Sequence, residues 1–72
     1  MAMTRVRIEI EEQRAEDALT ELEKIGYEDE GVKVKLLGGR LLLFGELPED
    51  KLTKAEKVRG VIRIDSGLSL YE

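Results

Sequence analysis

"KLLGGRLLLFGELPED", residues 35–50, carries the decision about the fold. It holds a Gly-Gly pair between two apolar arms, and Pro48 closes it. Gly38-Gly39 readily supplies the positive φ that a hairpin turn needs. The arm before it, "VKVKLL" (32–37), alternates, which predicts a strand with Val32, Val34 and Leu36 inward and Lys33 and Lys35 outward. The arm after it, "RLLLF" (40–44), does not alternate. A strand apolar on both faces sits in the middle of a sheet, or one of its faces is covered by something else.

Working outward, "TRVRIEI" (4–10) alternates cleanly: Val6, Ile8 and Ile10 face one way, Arg5, Arg7 and Glu9 the other. That is a half-buried strand. "EQRAEDALTELEKI" (12–25) changes period, with Ala15, Ala18, Leu19, Leu22 and Ile25 on one helical stripe. Gly26 suits the end of that helix. "YEDEG" (27–31) is expected to be a solvated acidic turn, since it lacks the ligand spacing of a calcium loop. Pro48 fits the first turn of a helix, expected over about 48–58 with Leu52, Ala55 and Val58 on its buried side. "VIRID" (61–65) is a last strand, with Ile62 and Ile64 inward, and "SGLSLYE" (66–72) extends it or runs free as a tail.

The order is β-α-β-β-α-β in one domain, residues 1–72. Right-handed crossovers place both helices on one face of a four-stranded antiparallel sheet, an α+β ferredoxin-like plait. The first and third strands are then central. The core is expected to contain Val6, Ile8, Leu19, Leu22, Ile25, Val34, Ile62 and Ile64. One apolar set of "RLLLF" lies under the helices and the other faces outward. The outward pair is Leu41 and Leu43 or Leu42 and Phe44, and Leu41 and Leu43 are the first candidates for a partner contact.

Composition narrows the function. The chain has 39% charged residues, a formal net charge of −4, and no His, Cys, Asn or Trp. Without His or Cys there is no Ser-His or Cys-His pair for nucleophilic catalysis and no thiolate metal site. No catalytic residue, metal or cofactor is expected. The acidic balance argues against nucleic acid, which usually meets a basic stripe. No apolar run approaches the ~18 residues of a membrane span, and the opening "MAMTRVRIEI" does not read as a signal peptide. Richness in Glu, Lys and Arg suits a thermostable or an idealised, designed sequence. What remains is the uncovered sheet face, where an apolar centre with a charged rim is expected to bind a protein partner or a second copy of the chain.

The stretch "GELPEDKLTKAEKVRGVIRIDSGLSLYE" (45–72), a short helix, a Gly-Val turn, a strand and an extended end, resembles the second half of the inhibitory propeptides of subtilisin-type serine proteases. That resemblance implies a sheet face packed on the protease and a C-terminal stretch lying in the substrate cleft. Ser69, Leu70, Tyr71 and Glu72 would then fill the subsites nearest the scissile position. A second resemblance, carried by "GRLLLFGELP" (39–48) and "GVIRID" (60–65), is to BON domains. It implies a non-enzymatic domain with a structural or self-association role.

Overall fold

A computed structural model describes residues 2–67. The strands are β1 (Met3–Glu11), β2 (Glu28–Leu36), β3 (Arg40–Pro48) and β4 (Val61–Ser66). The helices are α1 (Ala15–Lys24) and α2 (Leu52–Glu56), each entered through one 3-10 turn. All strand pairs are antiparallel and the sheet order is β2-β3-β1-β4. The fold is the ferredoxin-like plait, with β1 and β3 central.

The core forms where the helices cover the sheet. Val6, Ile8 and Ile10 of β1 are buried against Ala18 and Leu22 of α1, Ala55 of α2, and Leu43 and Leu47 of β3. Leu19, Ile25 and Ile64 pack on this cluster while remaining partly exposed. In the turn between α2 and β4, Gly60 has φ +98°, and a Cβ there would stand 2.8 Å from Arg14 Cβ. The Gly60 carbonyl accepts a hydrogen bond from the Glu11 amide, which fastens this turn to the end of β1.

Several expectations are corrected. The second helix is shorter than 48–58, a 3-10 turn over Glu49–Lys51 and one turn of α-helix over Leu52–Glu56. The segment 27–31 is no solvated turn: β2 begins at Glu28, and Tyr27 is buried in the core. Its hydroxyl donates to Asp29 at 3.1 Å. Burial, then the Asp29 carboxylate, pushes the phenol well above its ordinary range. Two residues expected in the core are outside it, Val34 at 40% and Ile62 at 48% exposure. Ile62 is displaced by a bulge: Glu9 pairs with Arg63 but Ile10 pairs with Val61, so Val61 takes the inward place and Ile62 is the additional residue.

Val34 has a different cause. Its strand alternates as expected, with its faces reversed. Lys33 lies opposite Leu43 and Lys35 opposite Leu41, so both lysines share the helix side, while Val34 pairs with Leu42. The helices leave the helix-side surface of edge strand β2 partly open. Both lysines remain exposed there, and Lys33 lines a gap of about 60 Å³ beside Leu19, Leu41 and Leu43. Lys35 Nζ reaches Glu12 at 3.2 Å.

Candidate protein-docking face

Antiparallel pairing puts directly opposed residues on the same face of a sheet. Ile8 is buried and lies opposite Leu43; Ile10 is buried and lies opposite Leu41. Leu41 and Leu43 therefore face the helices, with Leu43 only 1% exposed and Leu41 packed against the core. Their assignment as partner-binding residues is overturned. The outward pair is Leu42, opposite Glu9, and Phe44, opposite Arg7. Val34 continues the patch onto β2. A signal for this lies in the sequence: Glu46 shares parity with Leu42 and Phe44, and a helix-covered row would not take an unpaired carboxylate.

Ser69, Leu70, Tyr71 and Glu72 lie outside the described residues. Gly67 donates its amide to the Arg5 carbonyl at 3.2 Å, which carries the β4 ladder one step beyond Ser66.

The open face divides in two. Its β2–β3 half carries the apolar patch. Its β1–β4 half is charged and internally neutralised. Arg7 donates to Asp65 through Nη2 at 2.9 Å and Nε at 3.2 Å, and Arg63 Nη2 donates to the same carboxylate oxygen at 3.0 Å. Hydrogen bonds from Arg63 and then Arg7 hold the Asp65 carboxyl below the ordinary aspartate range. Arg40 pairs with Glu9 between the two halves, and Arg5 reaches Glu30 at 2.7 Å. Across one end, Glu28 lies directly opposite Glu46.

Within the face the Arg7–Asp65–Arg63 and Arg40–Glu9 contacts offset charge beside the apolar residues, while Glu28 and Glu46 have no ion-pair partner among the described residues. Leu42 and Phe44 are already partly buried, so covering them gains less than the roughly 1.5–3 kcal/mol of taking such a side chain from full exposure to full burial. Near the Gly38-Gly39 turn, a depression of about 440 Å³ is lined by Glu11, Glu12, Gln13, Arg40 and Ile62. Among the described residues no cluster of His, Cys, Asp and Glu is placed to hold a metal ion, and no helix is long and apolar enough to cross a membrane. Comparisons with protein-family models, curated proteins and solved structures match none of them to this chain.

Proposed function

We propose that this chain is a non-enzymatic protein-binding module that inhibits a subtilisin-type serine protease. The observation that carries the reading is the uncovered sheet face, where Leu42, Phe44 and Val34 form an apolar patch beside a neutralised charged half. The resemblance of residues 45–72 to subtilisin propeptides supplies the partner. In this reading the sheet face lies on the protease surface. Residues 68–72 enter the substrate cleft as an extended strand, where main-chain hydrogen bonds give affinity and alternate side chains give specificity.

The test is an inhibition constant for the full chain and for a chain lacking residues 68–72, against the same broad-specificity subtilisin. Truncation is expected to weaken inhibition at least ~100-fold, about 2.7 kcal/mol. Glu72→Leu is expected to strengthen it, because a charge is no longer placed in an apolar pocket. Absence of inhibition by the full chain at ~100 µM, where millimolar-range binding begins to show, overturns the reading in favour of a plait with a structural role.

A further inference from the structure

The charges of the open face form a pattern that is its own complement. Along β1 the outward residues read Arg5, Arg7, Glu9, Glu11, basic at one end and acidic at the other. On β4, Asp65 lies opposite Arg7 and Arg63 opposite Glu9. On β3, Phe44 lies opposite Arg7 and Leu42 opposite Glu9. These positions are symmetric about one line, the row in which Leu43, Ile8 and Ile64 are register partners.

We infer that a second copy of this chain docks on the open face through a half-turn about an axis along that row. The rotation keeps each strand over its own counterpart and reverses its direction. Arg7 then stands over Glu9 of the other copy, Arg5 over Glu11, and Asp65 over Arg63. Phe44 stands over Leu42, and Glu46 over Arg40. On β1, β3 and β4 these charges meet their opposites and Phe44 meets Leu42, while on the edge strand β2 Glu28 stands over Leu36.

A half-turn about an axis parallel to the strands lacks this property. Set between β1 and β3, that axis lays Phe44 on Arg7 and Leu42 on Glu9; set over β3, it lays Leu42 on its own counterpart but Glu9 on Val34, so in both cases apolar residues are set against charge. Complementarity therefore selects one two-fold arrangement, in which a self-complementary surface closes on itself as a dimer. Sheets packed face to face are turned by about 30° through their own twist. The central pairs, Arg7 with Glu9 and Phe44 with Leu42, keep their opposition best, and the outer pairs keep less of it. Size is sufficient: the molecule measures 33 × 29 × 18 Å, and a broad side of those dimensions accommodates the roughly 800 Å² per partner of a standard interface. Arg7, Arg63, Asp65 and Glu9, register partners on β1 and β4, sum to zero within a copy, so covering the four together leaves no net charge.

This self-pairing does not depend on the protease reading. It uses the face that a protease would use, so the two complexes exclude each other.

The experiment is sedimentation equilibrium of the full chain from about 10 to 500 µM, with no partner present. The expected result is a monomer–dimer equilibrium. Arg7→Glu alone sets Glu over Glu9 twice in the dimer, and Glu9→Arg alone sets Arg over Arg7 twice. Each is expected to weaken dimerisation at least ~100-fold. An equimolar mixture of the two variants is expected to restore a 1:1 heterodimer, because both of its contacts are again Glu with Arg. Leu42→Thr with Phe44→Thr, which alters none of the ion pairs, is expected to be monomeric and decides the matter if a charge reversal fails to fold. A wild-type monomer throughout the range, a single reversal that still dimerises, or a folded mixture that stays monomeric overturns the inference. Dimerisation without any inhibition of a subtilisin removes the protease reading alone.

Discussion

The ring of Tyr27 lies against the backbone of Gly45, so close that a Cβ at Gly45 would stand 2.8 Å from the ring's Cε1 and Cζ. The same Cβ would collide with the carbonyl oxygen of Glu28. Glycine is required here by close approach: a buried aromatic from the start of β2 rests on the central strand. Gly45→Ala is therefore expected to cost at least the roughly 1–3 kcal/mol of an overpacked core. Urea unfolding measures it, and a loss below about 0.5 kcal/mol rules out the contact.

Tyr27 also gives the fold an alkaline limit. Its phenol is raised above the ordinary value of about 10, first by burial and then by Asp29. A raised phenol contributes its full stabilisation below that ordinary value. The contribution is lost as pH rises beyond it, because the unfolded chain ionises first. Urea midpoints between pH 8 and 11 are expected to fall more steeply for the wild type than for Tyr27→Phe. Equal slopes would exclude the buried phenol.

The two faces of β3 are separable by truncation. Leu43→Ala and Leu22→Ala each remove a fully buried side chain and are expected to cost roughly 2–5 kcal/mol. Leu42→Thr, on the open face, is expected to leave the melting temperature of the monomer nearly unchanged. If Leu42→Thr costs as much as Leu43→Ala, the face assignment is reversed.

Asp65 reports on the charged half of the open face. Its carboxyl is held below the ordinary aspartate value of about 3.9 by Arg63 and then Arg7. The stabilising contribution of these pairs is present above that value and is lost as pH falls through the lowered one. A carbon-13 NMR titration of the side chain is expected to give a midpoint below about 3.9, and Arg63→Gln is expected to raise it. A wild-type midpoint at or above that value shows that the guanidinium contacts are absent in solution.

The architecture was legible because each element carried its own period. Val6, Ile8 and Ile10 alternate, and Ala15, Ala18, Leu19 and Leu22 recur at helical spacing. Burial in the structure follows those residues closely. Which face of β2 and β3 turned outward was not legible from period alone, since alternation fixes which residues share a face and leaves open which side the helices cover. The assumption that apolar means inward failed at Val34, because an edge strand partly beyond helical cover can carry exposed lysines on its helix side. Ile62 was misread because a bulge changes parity without any mark in local composition. Tyr27 was missed because its acidic neighbours made the segment read as a turn, although Gly45, alone among the leucines of β3, is where an aromatic ring finds room.

The central position of β1 bears on how the chain is made. Its neighbours in the sheet, β3 and β4, both follow it at long range, and its nearest successor in sequence, β2, does not touch it in the ladder. Of the four strands, β1 leaves the ribosome first and is without its sheet partners until β3 has been synthesised, a delay of seconds at about 5–20 residues per second. During that interval the stripe of α1, which packs on Val6, Ile8 and Ile10 in the folded core, is the element of this sheet-and-helix unit already made that can cover them. A helix–strand pair held by side chains, with the β2–β3 hairpin added as a finished unit, is the order of assembly that this topology favours in a nascent chain.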